Sequence, residues 1–470
     1  MTRNHRALLL LLTCTTVTQR ALAQLTLGAA MRQADRSAFA NRIAGGASAE
    51  RRAQALVPLK GILPSIHLEA GYVRTTDPIG AFGSTLRQRT ITQADFDPSR
   101  LNYPNAIGNY QGGIVVEQPL VNADAWLGRR AALQASDATR ASASWTRMSI
   151  RVDVVRAYYG SVLATERASM LQMAAHAAHA HQTQAEAMVR QGMVTKSDAL
   201  LAAVRAGEID AQLAEADGNA LTARRQLAVL LGGDGAANAN DIVAPGALPS
   251  AARIRAVVEG DTSVGLGQPR ADVDASERGL DAARADAVRA RSTYLPRLNS
   301  FARYDWNSPD RVYAGDRNWT VGVMATWSPF AGASQIADVQ TTSARETGAR
   351  AQAEAAVANS RLQDEQTRTA LTVALTRLAI AERAVAQSAE AHRIVARKYE
   401  GGLASVTELL DAQTVDTQSA LAFAQARYVV IVDAAERRLA AGRDPATLAV
   451  LDDSASVADR GAVTTPGREQ

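Results

Sequence analysis

The sequence predicts a mostly α-helical chain with membrane-crossing β-strands, built from two copies of one structural unit. Three observations predict it. Pro119 to Gly232 aligns without a gap on Pro329 to Gly442 at a constant offset of 210, so that Gly112 falls on Gly322, Gly192 on Gly402 and Leu200 on Leu410. A repeat of this length means one unit used twice. Each copy holds a long run without proline and of helical composition. Each copy also carries two stretches of about ten residues in which apolar and polar side chains alternate, the period of a strand with one apolar face. Composition agrees: only 4% of the 470 residues are aromatic, which favours long helices over a thick core.

Residues 1–23 read as a secretory leader. Arg3 and Arg6 supply the positive start, Ala7 to Val17 the apolar run, and Ala21-Leu22-Ala23 a cleavage site, giving a mature chain from Gln24. The apolar run is too short to span a bilayer. The only cysteine, Cys14, lies inside it, so lipidation would require cleavage before Cys14. Without its three arginines the formal charge falls from +4 to +1. No basic stripe for nucleic acid is evident.

The first repeat covers 24–232. Leu25 to Leu63 reads as helix, with a kink at Gly45-Gly46, ended by Pro64. Strands follow at 65–74 and 110–118, joined by a loop rich in Pro, Asp, Asn and Thr. Pro119 closes the second strand, and Asn122 is placed to cap the next helix. That helix, 122–190, would reach roughly 100 Å, with Val152, Val155, Tyr159 and Val162 on a coiled-coil-like seam. Gly192 breaks it, and a half-length return helix runs 195–231. A linker or equatorial region, 233–269, carries scattered Pro and Gly.

The second repeat, 270–442, has strands at 297–306 and 319–327, a long helix at 334–399 with Leu371, Leu375, Leu378 and Val385 on one seam, and a return helix at 405–440. Pro296 matches Pro64 at an offset of 232, so the first strand-connecting loop is the longer one. The tail, 443–470, reads as polar.

Strands of ten residues with one apolar face fit tilted bilayer-spanning strands. Tyr72, Tyr110, Tyr304, Trp306, Trp319 and Trp327 lie at or near strand ends, where interfacial aromatics belong. The competing reading is two soluble hairpins packed on the helices. Four strands cannot close a barrel, and an open edge in lipid leaves backbone groups unpaired, so a membrane role requires oligomerisation. A trimer would supply twelve strands, though the sequence does not fix that number.

The layout resembles the TolC-type outer-membrane channel family. The resemblance rests on the tandem halves, Leu63-Pro64 and Leu295-Pro296 before the outgoing strands, Gln118-Pro119-Leu120 and Ser328-Pro329-Phe330 before the long helices, Val155-Arg156-Ala157-Tyr158-Tyr159, and Tyr399 to Asp411. It implies a homotrimer in outer-membrane lipid, with a twelve-stranded β-barrel continued by a long α-helical barrel across the periplasm. It also implies a periplasmic adaptor protein and an inner-membrane transporter as partners. The expected function is a passive exit duct for small molecules in tripartite efflux. A protein-secretion duct shares the architecture, and a periplasmic coiled-coil scaffold without a pore is the alternative of another class. No enzyme fingerprint and no cofactor is expected.

In such a trimer Asp198, Glu408 and Asp411 would ring the periplasmic mouth. Glu408 and Asp411 are i, i+3 and share a helix face; stacked acidic rings attract cations. The same residues also suit the first turn of the return helices. Tyr399 matches a tyrosine that helps to close the family's entrance, but Ala404 stands where the partner arginine is expected. The turns Gly192-Met193-Val194-Thr195 and Gly402-Leu403-Ala404-Ser405 are candidate adaptor-docking tips. His176, His179 and His181 lack a convincing zinc spacing, and Asp234, Asn238, Asn240 and Asp241 lack that of a calcium loop; no metal is expected.

Overall fold

The structure, a computed structural model, describes residues 25–234, 247–260 and 270–452. The leader and Cys14, most of the 234–241 acidic stretch and the end of the tail lie outside the described residues.

Two helices dominate: α5, Ala123–Arg190, and α9, Ser334–Glu400, of 68 and 67 residues. Each spans about 100 Å. Each doubles back into a helix of 35 residues, α6 (Lys196–Leu230) and α10 (Val406–Ala440). The half-length returns leave the strand-side half of each long helix to other elements. There α1 (Leu27–Ser37), α2 (Phe39–Gln54) and α8 (Ala271–Ser292) take their place. The hand-over is tight: Ser37 Oγ donates to Leu231 O at 2.6 Å, and a Cβ on Gly232 would lie 2.4 Å from Ser37 O. Gly232, at φ +87°, is therefore required both for its conformation and for the close approach.

At the other end the chain forms one antiparallel sheet in the order β1-β2-β3-β4, with β1 at Ser65–Thr75, β2 at Ile107–Val121, β3 at Arg297–Ser308 and β4 at Asp316–Thr326. The repeats join at the β2–β3 pair, and β1 and β4 are edges. The register puts Leu68, Ile114, Tyr304 and Trp319 in one row and Ala302 beside Val116 and Val321. Alternation therefore gives the sheet one continuous apolar face and one polar face.

The main core lies halfway along α5. Tyr158, Tyr159, Leu227, Ile254, Leu378, Ile431 and Leu448 are fully buried there. Inside it Arg427 pairs with Glu166, donates to Leu248 O at 3.1 Å, and Glu166 accepts from Leu248 N at 2.8 Å. These further hydrogen bonds offset part of the cost of burying the pair, while Arg427 Nε has no hydrogen-bond partner among the described residues.

Several expectations are corrected. Gly45 and Gly46 sit inside α2 with open space around them, and the break falls at Ala38, whose extended backbone (ψ 132°) separates α1 from α2. The β1–β2 connection is not a bare loop: Asp77 and Asp97 cap α3 (Pro78–Arg87) and α4 (Pro98–Asn102), each with proline in the first turn. β2 runs past Pro119 to Val121 by means of a register shift, the kind of site where a strand accommodates proline. Asn122 makes no capping bond. β4 ends at Thr326, leaving Trp327 just beyond it. The 233–269 region contains α7, Ala251–Glu259. The tail folds back at Pro445–Leu451, where Leu448 enters the core.

Candidate functional site

Both hairpin tips are built by one set of bonds, repeated at the 210-residue offset. Gly192 N donates to Val189 O at 3.0 Å and Met193 N to Met188 O at 2.9 Å; Gly402 N donates to Tyr399 O at 3.0 Å and Leu403 N to Lys398 O at 2.8 Å. Gly192 and Gly402 have φ of +74° and +73°, which ends each long helix in a left-handed residue. The next residue projects as an apolar knob: Met193 is 59% and Leu403 83% exposed. Val194 and Ala404 are half-buried.

Thr195 and Ser405 then start the return helices. The Asp198 carboxylate accepts from Thr195 N at 3.0 Å, and that of Glu408 from Ser405 N at 2.8 Å. Both acids are thus the reciprocal partners of capping boxes. The helix-start reading made from sequence applies to both, and it fixes where their charge sits. Asp411 lies one turn on from Glu408 and is exposed.

Tyr399 is buried among Ala185, Ala202, Val406, Leu409 and Leu410, with Ala404 packed at the edge of the cluster. Burial, and then the charge of Asp198, push its hydroxyl above its ordinary range. The fold thus brings Tyr399 of one hairpin and Asp198 of the other to a common locus. Ala404 supplies no charge here, and apolar packing within the chain ties the two tips together. Lys196 and Lys398 stand beside these tips in the sequence.

At the sheet, Ile66, Leu68, Val321 and Val323 on the apolar face are each 63–71% exposed. Tyr72 packs on Tyr110 with ring centroids 4.6 Å apart, and Tyr304 on Trp306 at 4.8 Å; Trp319 and Trp327 are exposed. Sequence reasoning missed the aromatics on the helix side: Trp126, Tyr294 and Phe330 are also exposed, and Trp327 Nε1 donates to Tyr294 O at 3.0 Å. Because they lie outside the strands, alternation could not flag them; their place beside the Leu-Pro and Pro-Phe breaks could have. The polar face carries an ion cluster in which Arg303 meets Glu69 at 2.9 Å and Asp305 at 2.8 Å.

The three histidines part company. His179 pairs with Asp210 at 3.0 Å, whereas His181 is half-buried near His392 of α9, whose Nδ1 meets Asp416 at 3.2 Å. No helix among the described residues is long and apolar enough to cross a membrane.

The family model described as outer membrane efflux protein matches residues 46–233 and 266–443. Among solved structures, the CmeC outer membrane channel of Campylobacter jejuni is 16% identical with a TM-score of 0.74, covering 88% of this chain and 85% of that one. The outer membrane protein VceC of Vibrio cholerae is 17% identical with a TM-score of 0.73, covering 89% and 96%. The MtrE outer membrane channel of Neisseria gonorrhoeae, solved in its open state, is 18% identical with a TM-score of 0.68, covering 89% of each chain. No curated protein matches the sequence.

Proposed function

Because the chain belongs to the outer membrane efflux protein family, we propose that it is the exit duct of a tripartite efflux assembly, a trimer recruited by a periplasmic adaptor and an inner-membrane pump. The family makes it an outer-membrane efflux channel, not an enzyme, with most of its residues in the periplasm.

The observation that carries the trimeric reading is the sheet. It offers one exposed apolar face and two edges, β1 and β4, that have no partner strand within the described residues. In lipid those edges must be paired, and only closure with further copies does so. Three copies give twelve strands. The apolar face then meets lipid, the Tyr72, Tyr110, Trp306 group marks one interface, and Trp327 with Phe330 marks the other.

The glycine tips with Met193 and Leu403 are the adaptor contacts in this reading. Glu408 and Asp411 form acidic rings at the mouth, joined by Asp198, and Tyr399 belongs to the packing that holds the mouth narrow. The duct hydrolyses nothing, so the energy comes from the pump. Fractionation is the first test: recovery in the soluble periplasm without detergent would sink the reading. In planar bilayers the purified protein should conduct with cation preference, and Glu408→Gln with Asp411→Asn should reduce that preference. An unchanged preference rejects the acidic rings while leaving the duct intact.

A further inference from the structure

The longest loop of the sheet, 76–106, is ordered, and it does not lie where a connection between an edge strand and its neighbour needs to lie. Just past the end of α3, Gln88 is 5% exposed. Its Nε2 donates to Gly108 O and to Asn109 Oδ1, both at 2.9 Å, and Asn109 Nδ2 donates to Asn307 Oδ1 at 2.9 Å. Asn109 and Asn307 are 3% and 4% exposed. Three side-chain amides, from the end of α3, from β2 and from β3, thus form one buried chain.

Alternation places that chain. Asn109 is in phase with Gln111 and Gly113, and Asn307 with Arg303 and Asp305, so the amides lie on the polar face, at the strand ends remote from the helices. Beside them Arg87 helps to wall a basin of about 670 Å³ that is floored by Glu69, Arg303, Asp305 and Asn318. The residue after Gln88, Arg89, donates to Arg317 O at 3.3 Å and meets Asp316 at 3.7 Å, at the head of β4. The loop leaves from β1 and is anchored directly on β2 and β4, and on β3 only through Asn109, so it crosses the width of the sheet. Arg89 does this at φ +54°, an uncommon conformation for a residue with a side chain. The segment has its own packing as well: Phe82 meets Phe96 with centroids 5.8 Å apart, Ala81 is buried, and Thr92 with Asp95 forms a capping box. The β3–β4 connection opposite, by contrast, spans only 309–315.

We propose that the 76–106 segment is a lid across the outer mouth of the duct, latched on the lumen face by Gln88–Asn109–Asn307 and by Arg89 on β4. It is a second constriction, separate from the tips, and it limits which solutes enter the barrel from outside. The proposal rests on the channel reading above, because only a closed barrel turns the polar face into a lumen.

The test uses the full chain in intact cells, with single cysteines introduced into a protein whose one natural cysteine is Cys14. Asn318→Cys reports on the basin under the lid, and Ser99→Cys, on the lid itself, reports on outside exposure. A small methanethiosulfonate reagent and a long polyethylene glycol maleimide are applied from outside. Ser99→Cys should react with both. Asn318→Cys should react with the small reagent and at least about tenfold more slowly with the long one, a gap that Gln88→Ala, or the milder Arg89→Ala, should close to within a few fold. Equal labelling of Asn318→Cys by both reagents with the latch intact overturns the lid; so does a gap that neither variant narrows. If Ser99→Cys itself fails to react from outside, the outer-membrane orientation fails and the lid with it. Retained labelling of Ser99→Cys in each latch variant shows that the variant has folded and inserted.

Discussion

At the scale of single residues, the two tip glycines and Tyr399 carry the sharpest expectations. Gly402 sits at φ +73° with nothing near its missing side chain. Gly402→Ala should therefore cost roughly 1 kcal/mol from backbone strain alone, not from a clash. Hydrogen exchange at 399–406 should speed up while the global melting temperature barely moves. Tyr399 adds a pH dependence. Burial first, and Asp198 second, raise its hydroxyl above the ordinary 10.0. A raised acid favours the fold in its protonated form, so this contribution is intact below about pH 10 and is lost as pH climbs through the folded value. Protection at the tips, measured relative to the intrinsic exchange rate at each pH, should fall above about pH 10 in the wild type and not in Tyr399→Phe. The glycine positions were legible because a helix end in a repeat leaves few other choices. The capping boxes were equally legible in Thr195-x-x-Asp198 and Ser405-x-x-Glu408, and their geometry fixes both carboxylates at the helix starts. The role of Asp452 was not legible. It accepts from Leu27 N at 2.6 Å and from Tyr159 Oη at 2.8 Å, partners hundreds of residues away that no local pattern announces.

At the scale of elements, Leu448 and His181 report on how the pieces are fastened. The turn Pro445–Leu451 reads as polar tail, yet it inserts a fully buried leucine beside α1, α7 and α10. Leu448→Ala should lower stability by about 2–5 kcal/mol, seen as an earlier thermal transition with exchange rising first in α1. His181, on α5 near His392 of α9, is lowered from its ordinary 6.5, by burial first and by His392 second. A depressed base favours the fold in its neutral form: the contribution is present above 6.5 and is lost as pH falls through the lower folded value. Melting temperature should therefore drop on acidification from about pH 7.5 to 5.5, and His181→Gln should flatten the drop. Periodicity made the long helices and strands readable, since a wide apolar stripe suits only a helix and strict alternation only a strand. The Asp77-Pro78 and Asp97-Pro98 starts of α3 and α4 were written in the sequence too, but in pieces too short to show a period. Gly45-Gly46 misled because glycine weakens a helix without obliging it to bend, whereas the real break at Ala38 lies where Gly232 packs against Ser37.

At the scale of the whole molecule, the repeat was the most legible feature, and the proposal of an assembly follows from what four strands cannot do alone. Val323, on the apolar face of β4 and 63% exposed, tests that inference. Val323→Lys should cost about 2–4 kcal/mol if it faces hydrocarbon, read as loss of the oligomer in detergent; a soluble hairpin would gain solubility instead. What the sequence could not show is where the long shafts are held. The core around Tyr158 and Tyr159 grips α5 near its middle, and Gly192 lies 34 residues further on, about 50 Å along the axis. Mechanically, that core is a fulcrum and the tip half of the shaft is a lever arm. A tilt of only about 10° of the tip half about the fulcrum would sweep the tip through about 9 Å. A partner that grips the tips therefore works at full leverage. Small torques at the far end become angular strain at the midpoint, and the sheet beyond the fulcrum stays still only as far as α5 bends there.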